Sequence, residues 1–262
     1  ITEHACPRDR SGDTCPAVMS RRGFFIFDRT GIDRMFPWRS GVVSQAGLSL
    51  AGSPMSQEHN LGFRFLQLAA AGPDRPAIVA GSVRISHGQM RQIVILMALH
   101  MQRLGIGPTS TVALRTDDLT VLLGSILASS LLGNAWIFDA DILAEFPALR
   151  ITHRLRTDER PQAGSQLIDE SWALPPEGFS GPPRFPGYRD AADVFMISRS
   201  SGTTGTPKLV ALGHRTVHDR VASYAAFFPE PGIGLAGLFP LHAQAMLARC
   251  LAALFHKGRI VA

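Results

Sequence analysis

From Leu61 onward the chain alternates between short apolar runs and longer stretches with a period near 3.6. The first long stretch, Leu61 to Ala71, predicts an amphipathic helix. Ile78-Val79-Ala80 and Val83-Arg84-Ile85 flank Gly81-Ser82, a two-residue turn that predicts a hairpin. Ser86 opens the next helix, with Gln89 three residues on to complete a capping box. Met90, Ile93, Val94, Met97, Met101 and Leu104 form one apolar stripe at helical spacing, and Gly105 closes it. The methionines read as core filler rather than as ligands. Thr111–Leu114, a helix over 118–132 and Ala135–Phe138 predict a parallel βαβ unit.

The middle of the chain carries weaker signals. Asp141 to Leu149 has a helical pattern, and the Pro- and Gly-rich run from Pro175 to Tyr188 predicts an irregular surface loop. Regularity returns with Val194–Ile197, a Gly/Thr loop and Leu209–Leu212. A helix over His214–Phe228, a strand over Leu235–Phe239, a helix over Ala243–His256 and a strand over Arg259–Ala262 follow. That last strand, alone at the end of the sequence, predicts an unpaired sheet edge or an unfinished layer. The alternation as a whole predicts an α/β fold, a mostly parallel sheet flanked by helices.

Residues 1–54 have a different texture. Isolated apolar clusters such as Phe24-Phe25-Ile26-Phe27 are broken by Gly, Ser, Arg and Pro, with no sustained period. At Met55 the character changes, and Met55-Ser56-Gln57-Glu58-His59-Asn60 resembles an ordinary N-terminus leading into a helix. The expected organisation is a poorly structured or non-domain extension over 1–54 and a folded domain over 55–262.

Composition narrows the classes. Of 262 residues 45% are hydrophobic and 18% charged, which fits a globular chain able to bury a core. The net charge is +5, but the arginines are scattered without interleaved aromatics, which argues against a nucleic-acid partner. Val121–Leu132 is too short for the roughly 20 residues a membrane-spanning helix needs, so no transmembrane segment is expected and a buried helix is. Cys6, Cys15 and Cys250 have no metal-binding spacing and no even disulfide framework, and a reducing, cytoplasmic setting fits them. Lysine occurs only at Lys208 and Lys257, so a lysine at a chemically meaningful position carries weight.

One such position ends the stretch Ser200-Ser201-Gly202-Thr203-Thr204-Gly205-Thr206-Pro207-Lys208. Gly202 and Gly205 permit tight turns and close approach of backbone amides to an anion. Ser200, Ser201, Thr203, Thr204 and Thr206 add hydroxyl donors, and Lys208 adds a compact positive charge. The loop differs from a Walker A loop, in which Gly-Lys-Ser/Thr runs directly into a helix. Here a proline precedes the lysine and Leu209-Val210 continues as a strand. On composition alone, a polyphosphate cradle and a plain polar hairpin both remain open.

The exact order of these residues closely resembles the signature of the AMP-binding, adenylate-forming superfamily, which includes acyl-CoA synthetases, peptide-synthetase adenylation domains and luciferases. Gly213-His214-Arg215 and Leu238-Phe239-Pro240-Leu241-His242 resemble the segments that follow in the family. Asp74-Arg75-Pro76-Ala77-Ile78 and Leu104-Gly105-Ile106-Gly107-Pro108 resemble its N-terminal region. Arg199, Leu209 and Asn134 depart from the family pattern. The resemblance covers roughly 61–262, and no counterpart of the family's later segments is found. It therefore implies a partial N-terminal domain of the adenylate-forming fold, truncated at the C-terminus and inactive alone.

The resemblance also implies a chemistry. A small-molecule carboxylic acid attacks the α-phosphate of ATP, giving acyl-AMP and pyrophosphate, and a thiol of CoA or of a carrier-protein phosphopantetheine then takes the acyl group. Residues 200–206 and Lys208 would hold the β- and γ-phosphates, Thr204 would reach Mg2+ through them, and His242 would lie near the carboxylate pocket, its other reading being a cap on the following helix. His214 reads as structural. An acyl-CoA synthetase is the leading expectation. A peptide-synthetase adenylation domain and a non-catalytic nucleotide-binding remnant are the alternatives.

Overall fold

The computed structural model describes residues 49–50, 58–80, 82–138, 146–158, 163–180, 182–200, 208–226, 234–236, 244–256 and 258–261. The elements, in chain order, begin with β1 (Ser49–Leu50), α1 (Leu61–Ala70), β2 (Pro76–Ala80), β3 (Val83–Ser86) and α2 (His87–Arg103). Next come β4 (Thr111–Arg115), α3 (Leu119–Leu132), β5 (Ala135–Phe138), β6 (His153–Arg156), β7 (Ser165–Leu167) and β8 (Arg184–Phe185). The last are β9 (Val194–Ser200), β10 (Lys208–Gly213), α4 (His214–Ala225), β11 (Gly234–Ala236), α5 (Gln244–Phe255) and β12 (Arg259–Val261).

A six-stranded sheet has the order β10-β9-β5-β4-β6-β7, parallel throughout except for the antiparallel edge strand β10. The predicted βαβ unit is its centre: β4 pairs β5 in parallel from Thr111↔Ala135 to Leu114↔Phe138, with α3 as the crossover. A four-stranded sheet has the order β11-β12-β2-β3. In it the predicted hairpin appears as antiparallel β2 and β3, with Ala80↔Val83 bracketing the turn.

Local chemistry accounts for the helix boundaries. Ser86 and Gln89 form the expected reciprocal capping box on α2. Asn60 caps α1 by accepting from the Phe63 amide, and it also donates to the Ser130 carbonyl, which ties α1 to α3. Asp118 caps α3 by accepting from the amides of Thr120 and Val121. Burial of that carboxyl raises its pKa, against the opposing pull of these hydrogen bonds.

Helix α3 is buried on every face, which settles the apolar run over 121–132 as a core helix. Its serines have partners inside. Ser130 donates to Asn60 Oδ1, Ser129 Oγ accepts from Asn134, and Ser125 lies against the Met97 sulfur. The expected stripe on α2 is buried at Met90, Ile93, Val94, Met97 and Met101, and so are Ile95, Leu96, Ala98 and Leu99. The helix is enclosed more fully than a single stripe implies, because α1, α3 and strands of the four-stranded sheet all pack on it.

Three expectations need correction. β12 is not an edge: it pairs in parallel with β11 on one side and β2 on the other, in the interior of its sheet. The Pro- and Gly-rich run is irregular but not merely superficial, since Phe185 and Tyr188 are buried. Residues 146–149 form a turn, with the Leu149 amide bonded to the Phe146 carbonyl, rather than the end of a helix. The rest of that helical stretch, 141–145, lies outside the described residues, as do 1–48 and 51–57. Of the extension, Ser49–Leu50 pairs in parallel with β8.

Gly133 ends α3 in the left-handed conformation, φ 72°. A Cβ there would stand 2.1 Å from the Gly187 carbonyl oxygen, where the 187–188 segment is bonded back to the Leu131 carbonyl. Gly133→Ala should therefore destabilise the fold by about 2–4 kcal/mol, strain plus a backbone clash. Gly105→Ala, at a left-handed position with open space around it, should cost only about 1 kcal/mol. Urea denaturation of the two variants tests the difference, and equal losses would contradict it.

Candidate functional site

The predicted loop lies at the mouth of the β9–β10 hairpin. β9 leaves the core with Phe195 and Met196 buried, and its exposure rises toward Arg199. β10 returns beside it in register from Lys208↔Ser200 to Leu212↔Met196. The Ser200–Lys208 pair is the last one of the ladder among the described residues. Lys208 is exposed at the first position of β10. A strand leaves the loop, as expected from Pro207-Lys208-Leu209 and unlike a Walker A loop. Ser201, Gly202, Thr203, Thr204, Gly205, Thr206 and His242 lie outside the described residues. Of the predicted site, the structure locates the backbone of Ser200 and the whole of Lys208.

The base of the hairpin is clamped. The amides of His214 and Arg215, at the start of α4, donate to the carbonyls of Asp193 and Ala191, just before β9. These bonds satisfy helix-end donors that Gly213 cannot cap with a side chain. The Asp193 carboxylate in turn accepts from the amides of Arg189 and Asp190.

Because β9, β5, β4 and β6 are parallel, β9 ends, at Ser200, on the side of the sheet where β4 and β6 also end. There the sequence reading missed a cluster. Arg115 lies opposite Arg156 in register. Asp158 lies between them, 3.4 Å from Arg115 Nε and 3.2 Å from Arg156 Nη1. Thr157 donates to Thr116 at 3.1 Å. The available signal was the tripeptide Leu-Arg-Thr, present at 114–116 and again at 155–157. The connection from β4 leads to β5 and that from β6 to β7, on opposite sides. In an open parallel sheet this divergence opens a crevice at the carboxyl ends of the strands.

No family model matches the chain. Curated relatives include surfactin synthase subunit 1 of Bacillus subtilis (strain 168), 28% identical over 204 residues, which are 72% of this chain and 6% of that protein. Malpinin synthetase of Mortierella alpina is 26% identical over 180 residues, 65% of this chain and 2% of that one. Among solved structures, the inhibitor-bound N-terminal domain of FACL13 from Mycobacterium tuberculosis superposes with a TM-score of 0.64 at 20% identity, over 78% of this chain and 57% of that one. The N-terminal subdomain of Klebsiella oxytoca NpsA, in complex with 3-hydroxybenzoyl-AMSN, gives 0.62 at 18% identity over 77% and 53%. Sequence relatives, fold and loop signature agree. In sequence the chain is similar to peptide synthetases, and in fold to the N-terminal domains of adenylate-forming enzymes. It spans a small fraction of its curated relatives' length and part of the N-terminal region of the solved ones.

Within this adenylate-forming fold, His214 has a structural place. Its ring lies between Tyr188 and Phe195, with centroids 4.5 and 4.6 Å away. Neither ring nitrogen makes a hydrogen bond of full geometry among the described residues. Burial drives the imidazole pKa down to about 4, against weaker opposing pulls from Asp193 and the Gly133 backbone. The unfolded imidazole takes up a proton below about pH 6.5, and the folded one does not until about 4. The unfolded state therefore binds more protons in that window, and stability falls as pH drops through it. Between pH 7 and pH 5 His214 alone should cost about 2 kcal/mol. His214→Phe keeps a ring between Tyr188 and Phe195 and should remove that share of the loss, as read by urea denaturation at the two pH values. An unchanged loss would contradict the assignment.

Proposed function

We propose that the chain carries the polyphosphate cradle of an ATP-dependent, AMP-forming ligase that activates a small-molecule carboxylic acid. The observation that carries this reading is the Ser200–Lys208 pair. It brings a compact cation to the mouth of a hydroxyl- and glycine-rich turn, at the edge of the sheet where strands β4, β5 and β6 also end. In the proposed reaction a carboxylate oxygen attacks the α-phosphorus of ATP. The bond to the bridging α–β oxygen breaks, and pyrophosphate leaves with that electron pair. The backbone amides around Gly202 and Gly205, and the hydroxyls of Ser200, Ser201, Thr203, Thr204 and Thr206, hold the β- and γ-phosphates. Lys208 meets the negative charge that grows on the leaving group.

Residues 201–206 contain no carboxylate. A Mg2+ ion there would ride on phosphate oxygens, with the Thr204 hydroxyl as a protein ligand, in keeping with the way Mg2+ is usually held. His242 is assigned to the carboxylate pocket. Acyl-AMP then passes its acyl group to a thiol and releases AMP. CoA is the acceptor in the acyl-CoA synthetase reading, whose fold a Mycobacterium tuberculosis fatty acyl CoA synthetase shares. A carrier-protein phosphopantetheine is the acceptor in the peptide-synthetase reading, which the surfactin synthase and malpinin synthetase relatives favour. The relatives are far longer than the matched stretch. We assign polyphosphate binding to these 262 residues and acyl-AMP turnover to the larger assembly.

Lys208→Ala in the 262-residue chain should weaken binding of pyrophosphate with Mg2+ by about tenfold to a hundredfold, the loss of one charge-assisted contact. Lys208→Arg should recover only part, because the guanidinium forks where the ammonium is compact. Isothermal titration calorimetry measures both. Equal affinities for the parent and Lys208→Ala would mean that the hairpin is a plain polar turn.

A further inference from the structure

We propose that His59, His218 and Asp219 form a binding site for a divalent transition-metal ion of the zinc class. One ligand atom from each residue lies within 4.8 Å of the other two. They come from two distant parts of the sequence: His59 lies in the turn before α1, and the consecutive His218 and Asp219 lie on α4. The two imidazoles meet edge to face with centroids 5.0 Å apart. His218 Nδ1 is 3.0 Å from Asp219 Oδ1, so the carboxylate orients the ring. His59 is positioned through its backbone, whose amide donates to the Tyr188 hydroxyl at 3.1 Å.

The donors are two imidazoles and one carboxylate. That set suits Zn2+, and also Ni2+ or Cu2+, rather than Mg2+ or Ca2+, which prefer all-oxygen shells. Ligand atoms on a tetrahedral zinc stand about 3.3 Å apart, so binding asks for a modest inward shift of three side chains. Both histidines are half-buried and Asp219 is exposed. Solvent therefore reaches the site and can supply the fourth ligand.

Arg64 gives the site a specific signature. Its guanidinium lies against His218 Nε2, and an arginine can only donate, so that nitrogen must be bare. A metal taken up at Nε2 displaces the guanidinium directly. A metal taken up at Nδ1 sends the ring proton to Nε2, and the guanidinium then loses its acceptor. By either route Arg64, which is exposed, has to swing away. It is a built-in competitor for the ion. An ion bound here would fasten the turn before α1 to the helix that follows the β9–β10 hairpin. The site stands independently of the nucleotide reading.

The test is titration of Zn2+ alone into the chelator-treated full chain, followed by calorimetry. The expected result is one ion bound per chain. His59→Ala and His218→Ala should each weaken binding at least tenfold, and Arg64→Ala should tighten it by about tenfold, the loss of one competing charge-assisted hydrogen bond. The gain expected for Arg64→Ala, a surface change, does not depend on a histidine variant folding. The proposal is overturned if Zn2+ does not bind or if both histidine variants bind it like the parent. It is overturned equally if Arg64→Ala leaves the affinity unchanged or lower.

Discussion

The stack of rings around Phe195 fixes where β9 leaves the core. Trp136 on β5 meets Phe195 edge on at 6.3 Å, and His214 and then Tyr188 continue the row. Phe195 has no exposed surface. A slip of β9 by one residue would turn it toward the opposite face, because side chains alternate along a strand. The register of β9 against β5 therefore sets the register of β10 against β9, and with it the Ser200–Lys208 pair. The clamp between residues 191–193 and the start of α4 holds the other end of the hairpin. The position of Ser200, where the candidate phosphate loop begins, is thus a consequence of packing about 17 Å of strand away, at about 3.3 Å per residue.

The same arrangement explains the division of labour along the sheet. Its interior strands are parallel, and β4 and β5 are buried on both faces, Ala113 and Ile137 packing against Phe146, Leu149 and Ile151, which is where continuous apolar runs belong. β10, at the edge, is exposed along much of its length, with Lys208, Val210 and Ala211 open to solvent. The arginine pair at the ends of β4 and β6 adds positive charge to the side of the sheet where β9 also ends, partly offset by Asp158.

Much of this was legible in the sequence, for reasons that differ by element. α2 could be read because its stripe, its Ser86–Gln89 box and its closing Gly105 all agree. α3 could be read despite its lack of polarity contrast, since Asp118 and Gly133 mark its ends. The sheet edges could not be read. Arg259-Ile260-Val261 looks like an edge only along the chain, and its partners β11 and β2 stand 25 and 182 residues away in register. The buried Phe185 and Tyr188 were hidden by their Pro and Gly neighbours, which signal turns but say nothing of what packs beneath them. The loop signature named a candidate site because its order is specific, and its residues 201–206 lie outside the described residues. The Leu-Arg-Thr pair escaped notice, because two tripeptides 41 residues apart gain meaning only when the strands align.

The central claim is that the turn between Ser200 and Lys208 receives a polyphosphate, and hydrogen exchange of the backbone amides addresses it most directly. A cradle built from backbone N–H groups must protect those amides when its anion arrives. With saturating pyrophosphate and Mg2+, the amides of residues 201–206 should exchange more slowly than in the chain alone, with little change across α2 and α3. Protection confined to other segments, or none at all under conditions where pyrophosphate binds, would contradict the account.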